Sequence, residues 1–481
     1  MNAQLQPVPT TTTTTQTLAD TLARLKTARR DLPPPDYLQR RDDLKRLRAA
    51  FKSRIEAMND ALSADFGHRS RHESTIADGW TVLKTIDHLL SNLKAWMRPQ
   101  ARSPGWLMLP ARAEVRPMPL GVVGVMSPWN YPVNLALVPL ATAIAAGNSV
   151  YLKPSEHTPR SSAFLADLLR DVFPDTQVAV ALGGAETAAG FAALPFDHLL
   201  FTGSTAVGRK IMAAAAPNLT PVTLELGGKS PTIIGDDFPL ELAAARIATG
   251  KLFNGGQTCI APDYVFVPRA KRDAFVAALR ADVAQRFPDQ QAFTDLTRVV
   301  NAAQYRRLRG YLDDARERGL KIEPLLDVDA TRAEAERLLP PTVVLDAGDD
   351  AKVMQDEIFG PLLPVLGYDS IDQVISYING HDRPLALYVF DYDRGNVERI
   401  LQRCIAGGVT VNDALLQFAA SDVPFGGVGA SGMGHYHGRE GFLTFSKLLP
   451  IVYQSRFTGF DFLLRPPYKG IADRLVKFLS R

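Results

Sequence analysis

Cysteine is nearly absent from this chain. Cys259 and Cys404 are the only two in 481 residues, and they stand 145 positions apart. That spacing offers no Cys-x-x-Cys pair, no four-cysteine zinc site and no disulfide framework of the kind that small secreted domains need. Such thiol usage suits a reducing cytoplasm. Neither sign of charge is in excess: Lys plus Arg is 54, Asp plus Glu is 51, and the net charge is +3. A nucleic-acid partner would demand a concentrated basic face, so none is expected. Long hydrophobic runs are missing as well. The most apolar stretch, Pro132 to Val150, is broken by Asn134, Pro139, Gly147 and Asn148, and reads as a buried helix and its exit, not a membrane span. The N-terminus lacks the basic patch and apolar run of a signal peptide.

What is present is an ordinary globular composition, 46% apolar and 22% charged, in a chain long enough to build its core without disulfides or metal. Its length predicts about three folding units, or two large ones with an extension. The first 16 residues, with threonine from Thr10 to Thr15, have no hydrophobic partners and predict a disordered tail. From Leu18 to Met97 the apolar residues recur at helical spacing. Ser103 to Pro119 alternates and is rich in proline, which predicts a protruding hairpin. Beyond Leu120 strand and helix patterns alternate: strands around Gly121–Met126, Val150–Leu152, Val178–Leu182 and His198–Phe201, with helices between. A second such region opens at Val222 and ends near Gly408. Alternation at this spacing predicts an α/β fold of two doubly wound, parallel-sheet layers.

Five short segments carry residues suited to chemistry. Cys259 follows two glycines in Gly255-Gly-Gln-Thr-Cys-Ile260, where the backbone approaches closely and exposes the sulfur; taken alone it is equally a buried structural cysteine. Cys404 lies in a helical pattern with Ile400, Leu401 and Ile405 and reads as structural. Glu225 sits between two leucines ahead of Gly227 and Gly228. Burial there would raise its carboxyl pKa toward that of a useful base, unless it pairs with Lys229. Asn130, stiffened by prolines in Ser127-Pro-Trp-Asn-Tyr-Pro132, could donate its amide to an oxyanion or make an Asx turn. Phe201-Thr-Gly-Ser-Thr-Ala-Val-Gly208 follows a strand and opens a helix. Free N–H groups at Gly203 and Ser204 and the helix dipole could face a phosphate, or the segment is only a tight turn. Lys153 and Glu156, in Lys153-Pro-Ser-Glu156, could both reach ribose hydroxyls or form a solvated surface pair.

Together these segments resemble the aldehyde dehydrogenase superfamily. The resemblance runs from about Leu18 to Tyr453. It rests on Ser127-Pro-Trp-Asn130, Lys153-Pro-Ser-Glu156, Phe201-Thr-Gly-Ser204, Leu224-Glu-Leu-Gly-Gly228, Gly256-Gln-Thr-Cys259, Glu357-Ile-Phe-Gly-Pro361 and Pro424-Phe-Gly-Gly427, in the family's order. It implies a Rossmann-like cofactor domain over 17–226 with an oligomerisation hairpin at 103–119, and a catalytic domain over 227–408. A bridging segment at 409–454 and an amphipathic tail at 455–481 follow. It implies Cys259 as nucleophile, Glu225 as general base, and Asn130 with the Cys259 backbone N–H as oxyanion hole. Lys153 and Glu156 would hold the adenosine ribose and Glu357 the nicotinamide ribose. Gly203, Ser204, Val207 and Gly208 would lie by the pyrophosphate, with Trp129 and Phe359 along the cofactor channel. Ser431-Gly-Met-Gly434, Tyr436-His-Gly438, Phe442-Leu-Thr-Phe-Ser446 and Arg465-Pro-Pro-Tyr468 resemble the class 3 branch, which implies a homodimer. Phe66-Gly-His-Arg-Ser-Arg-His72 is similar to bacterial coniferyl aldehyde dehydrogenases.

The implied reaction is oxidation of an aldehyde to its acid with NAD, NADP also being admissible, through a Cys259 thiohemiacetal and thioester. Glu156 should favour a free 2′-hydroxyl. Large apolar residues at Tyr131, Phe253 and Leu415 to Phe418 suggest an aromatic or long aliphatic substrate. No metal is indicated: His435 and His437 flank Tyr436 but no third ligand is evident. A Cys–Glu–Lys hydrolase of the nitrilase kind, and a dehydrogenase that passes its acyl group to coenzyme A, are the rival readings. The tail from Lys469 to Arg481 has the pattern of an amphipathic helix that docks on the body or a partner subunit; membrane-surface contact is the lesser alternative.

Overall fold

The computed structural model describes residues 14–288, 293–456, 464–466, 468 and 470–480. The tail expected over 1–16 falls largely outside these residues. Its described end is ordered, because Thr14 caps a helix over Thr15–Asp31 by accepting from the Thr17 N–H. The helical pattern that follows is built as Tyr37–Lys52, Ile55–Phe66, Arg71–Ser74 and Thr81–Trp96, with a π-helical turn at Thr75–Trp80.

Two sheets dominate. The first has six strands in the order Gly432–Met433, Val222–Glu225, His198–Thr202, Val122–Met126, Ser149–Lys153 and Val178–Val180. All pairings are parallel except that of Gly432–Met433. The chain leaves the central strand Val122–Met126 in one direction and later returns to its other side. That reversal opens a crevice at the carboxyl ends of the strands, where open α/β sheets bind ligands. The second sheet has seven strands: Ile322–Pro324, Thr342–Leu345, Leu362–Tyr368, Tyr264–Pro268, Pro231–Ile234, Ala386–Phe390 and Gly408–Val411. Only Ile322–Pro324 runs antiparallel. Inner strands such as Ala386–Phe390 and Tyr264–Pro268 are short and buried throughout, as parallel layers covered by helices require.

The hairpin expected over 103–119 takes a different form. Gln100–Arg102 pairs with Arg112–Pro119, and Arg112–Pro119 then pairs along its whole length with Ser446–Tyr453, making a three-stranded antiparallel sheet. Cys404 is likewise not inside a helix. It follows Arg394–Arg403 as the extended capping residue, buried in the second sheet's core. Among the described residues no helix is long and apolar enough to cross a membrane. The carboxyl-terminal helix, Ile471–Leu479, buries only Ala472.

Candidate active site

The first sheet supplies residues at the carboxyl ends of its strands, and the second sheet's connecting loops meet them. Glu225 ends its strand, and the chain passes at once through Gly227 and Gly228 into Pro231–Ile234 of the other sheet. This short crossing puts a strand end of one layer against the loops of the other. Gly227 lets the Glu357 carboxylate come close: a Cβ on it would lie 2.0 Å from Glu357 Oε2 and displace that side chain.

The loop before Cys259 is held in an unusual shape. Asn254, Gly255 and Gly256 all have positive φ, at 55°, 62° and 76°. A Cβ on Gly256 would meet the Gly360 carbonyl at 2.4 Å, so the loop packs flush against the 357–361 segment. Gln257, fully buried, laces the loop down. Its amide donates to the carbonyls of Asn254 and Arg298, both at 3.0 Å, and its Oε1 accepts from the Val300 N–H at 2.9 Å. Asn130 Nδ2 donates to the Gln257 carbonyl at 3.1 Å. The oxyanion candidate is thus fastened two residues before the sulfur, with a second Nδ2 hydrogen to give. Thr258 is tied to the Tyr131 hydroxyl at 2.5 Å.

Cys259 is a free thiol, half-buried. Burial, then the charges of Glu357 and Glu225, push it upward, so the resting group is a thiol and needs a proton acceptor to become a nucleophile. Glu225 is 2% exposed and neither carboxylate oxygen has a hydrogen-bond partner among the described residues. Burial raises it well above the ordinary carboxylate range. The alternative pairing with Lys229 does not occur: Lys229 bonds Asp263 and the carbonyls of Val353 and Asp356. Glu357 is pushed up to about 8, chiefly by burial and then by Asp263. Its loop is clamped by Arg307, which donates to the carbonyls of Glu357 and Ile358, and by Asp263, which accepts from the Ile358 N–H at 2.9 Å.

The remaining residues named from the sequence border the crevice. Lys153 is buried and bonds Glu156, which is exposed, at 2.7 Å, so they are not a solvated pair. Gly203 corrects one expectation: its N–H is not free but donates to the Glu225 carbonyl at 3.0 Å. Its use is space, since a Cβ would strike the Phe201 ring at 2.5 Å. Ser204 caps the helix Thr205–Ala215 and accepts from the Val207 N–H. Gly208 lets that helix approach Leu226, where a Cβ would come within 2.6 Å, while Val207 stays exposed at the mouth. Trp129 and Phe359 meet edge to face at 5.2 Å. On the substrate side Tyr131 stacks on Phe253, and Phe418 packs against Phe425 and His437. A small cleft lies between Thr81, Lys84, Asn134, Phe418 and His437.

Several residues around the site were not singled out by sequence reasoning. Arg69 and Asp78 form a wholly buried ion pair at 2.8 Å. Arg69 also donates to the Asn130 carbonyl at 3.0 Å, and Asp78 accepts from the N–H groups of Val133 and Asn134. Glu73, pushed up to about 7 mainly by burial, accepts from the Asn254 N–H and the Thr297 hydroxyl. Lys251 Nζ is buried without a hydrogen-bond partner among the described residues and is pulled down to about 8 by burial. For Arg69, Glu73 and Asp78 the available signal was a set of charged residues within the apolar helical pattern of 18–97.

The description "Aldehyde dehydrogenase family" matches residues 9–449 of this chain. A protein of Pseudomonas aeruginosa named "Probable coniferyl aldehyde dehydrogenase" is 49% identical over 94% of each chain. The substrate-bound AldH of Staphylococcus aureus superposes with a TM-score of 0.90 at 35% identity, covering 96% of this chain and 99% of that one. The Mycobacterium tuberculosis aldehyde dehydrogenase solved with NAD+ superposes at 0.82 and 26% identity, over 93% and 91% of the two chains. A matched family description spanning nearly the whole length, and near-complete overlap with these relatives, place the chain: it belongs to the aldehyde dehydrogenase family.

Proposed function

We propose that this protein oxidises an aromatic aldehyde of the coniferyl type to its carboxylic acid with NAD+, NADP+ being a possible second oxidant. The name of the Pseudomonas aeruginosa relative and the packed aromatic pairs Tyr131–Phe253 and Phe418–Phe425 support the substrate class. The residues of the crevice fit a dinucleotide. Glycines at 203 and 227 keep side chains out of it. Glu156, steadied by Lys153, and Glu357, whose Oε1 has no partner among the described residues, are acceptors suited to ribose hydroxyls. Ser204, Val207 and Gly208 would border the pyrophosphate at the helix start, and Trp129 and Phe359 the nicotinamide end. When bound, NAD+ supplies the acceptor for the hydride.

The chain's own groups do the rest. The Cys259 sulfur adds to the carbonyl carbon, and the thiol proton leaves to solvent by way of a carboxylate of the cavity, Glu225 or Glu357, which is ionised again before hydrolysis. The oxygen gains the charge and is met by the free Nδ2 hydrogen of Asn130 and the Cys259 backbone N–H. Loss of hydride leaves a thioester. Glu225 then takes a proton from water as its oxygen bonds to the thioester carbon; the carbon–sulfur bond breaks, Cys259 departs as thiolate, and the acid is released.

The observation that carries this reading is the bond from Asn130 to the Gln257 carbonyl, which ties the oxyanion donor to the nucleophile's own loop while Glu225 bears on the same thiol. The test is absorbance of reduced nicotinamide with coniferyl aldehyde, benzaldehyde and a long aliphatic aldehyde, each with NAD+ and with NADP+. Cys259→Ala should abolish the signal and retain cofactor binding. Silence with every aldehyde, or undiminished turnover in the variant, overturns it. We further propose a homodimer in the cytoplasm. The exposed Leu448, Leu449 and Val452 of the three-stranded sheet support a contact there, and the free thiols suit a reducing compartment.

A further inference from the structure

The hydroxyl of Tyr436 has no role in the fold. Tyr436 is 1% exposed, and its oxygen finds no hydrogen-bond partner among the described residues. A buried phenol ordinarily has one, because leaving it unpaired costs stability. The rest of the residue is fixed. Its N–H donates to the Phe425 carbonyl at 3.2 Å, and its ring meets Phe425 and His437 edge to face at 5.9 and 4.4 Å.

The backbone brings the segment that leads into Tyr436 alongside the Glu225 strand. Gly432 pairs with Glu225 across an antiparallel bridge, and the Leu226 N–H donates to the Ser431 carbonyl at 3.1 Å. The approach is tight enough that a Cβ on Gly432 would lie 2.1 Å from the Leu224 carbonyl. Tyr436 follows four residues later. The charged groups that bear on its phenol are Glu225 and Cys259. Glu357 acts on the same thiol, and His437, held neutral by burial, is the other titratable group beside the ring. Tyr436 Oη and both oxygens of Glu225 are thus buried polar atoms without a partner among the described residues, on segments that this bridge joins.

We infer that Tyr436 is a further catalytic residue, which with Glu225 orients the water that hydrolyses the Cys259 thioester. A water has two hydrogens to direct. One is taken by Glu225 as the carbon–oxygen bond forms. The other is donated to Tyr436 Oη as a hydrogen bond and stays on the oxygen that becomes the acid's hydroxyl. Two fixed acceptors leave a water lone pair facing the acyl carbon, and misplacing an attacking group by about 1 Å can cost about a hundredfold in rate. Tyr436 gains and loses no proton.

This inference rests on the thioester reading above, and one experiment separates the two. Wild type and Tyr436→Phe are mixed rapidly with NAD+ and coniferyl aldehyde, and reduced nicotinamide is followed through the first turnover and into steady state. The expected result is an unchanged first turnover in Tyr436→Phe, then a steady state slowed about a hundredfold. Hydroxylamine, which attacks thioesters without help from a base, should restore most of the lost rate. A steady state equal to wild type overturns the inference, as does a first turnover slowed in parallel. Failure of Tyr436→Phe to fold overturns it too, since an unpartnered hydroxyl holds nothing together. Absence of any aldehyde-dependent signal in wild type would instead overturn the thioester reading.

Discussion

Two carboxyls, Glu225 and Glu357, bear on Cys259, and each adds to burial in making its thiol harder to ionise. Burial raises Glu225 well above the carboxylate range and lifts Glu357 to about 8. A carboxyl whose pKa is raised stays protonated at neutral pH and becomes a base only as pH climbs through its new value. Turnover should therefore rise from neutral into alkaline pH, because hydrolysis needs Glu225 ionised. Glu225→Gln keeps the shape and removes the titration. It should retain the first turnover, lose about two to four orders of magnitude in steady-state rate, and flatten the pH dependence of what remains. Stopped-flow and steady-state rates across pH check this; a variant that matches wild type at every pH removes Glu225 as the base. The carboxylate's poor solvation was legible in the sequence from the flanking leucines. Its lack of a partner among the described residues was not, because Lys229 lies close in sequence and only the fold shows that Asp263 claims it.

At the scale of elements, strands and helices announced themselves where burial was one-sided or complete, and glycines marked where backbones touch. What the pattern did not show is the π-helical turn Thr75–Trp80. One extra residue turns the helical face that follows by about 100°, so a periodicity read along 18–97 does not single out Asp78, which is wholly buried. Its charge holds the start of the helix Asn134–Ala145 through the N–H groups of Val133 and Asn134, and its partner Arg69 holds the Asn130 carbonyl. The amino-terminal helices thereby fix the loop that carries the oxyanion donor. Arg69→Met leaves Asp78 charged, buried and half-partnered, which typically costs about 3–5 kcal/mol. Chemical denaturation should show that loss. At temperatures where the variant is folded, kcat should fall more than KM changes, because the affected interaction forms with the oxyanion. Unaltered stability and kcat would mean that the pair does not position this loop.

The whole molecule depends on its carboxyl-terminal segment returning to the first sheet, and one buried histidine reports on that closure. His198 lies in a central strand, bonds the Thr223 hydroxyl at 2.9 Å, and meets the Phe445 ring at 5.5 Å. Asn148, just before the strand Ser149–Lys153 of that sheet, holds the Phe445 carbonyl at 2.9 Å. Burial pulls His198 down to about 4 from the ordinary 6.5. Between those values the unfolded chain binds a proton that the folded chain refuses, so the folded state loses stability as pH falls from 6.5 toward 4 and keeps it above 6.5. The shift corresponds to about 3 kcal/mol when complete. The raised carboxyls Glu73, Glu225 and Glu357 act in the opposite sense but are common to wild type and variant, and cancel in their difference. Denaturation of wild type and His198→Gln at neutral pH and near pH 4.5 should show the wild-type advantage shrinking by about 2–3 kcal/mol in acid. Parallel pH curves would mean that the site between Thr223 and Phe445 admits a charged ring, and that the returning segment opens in acid before the sheet beneath it does.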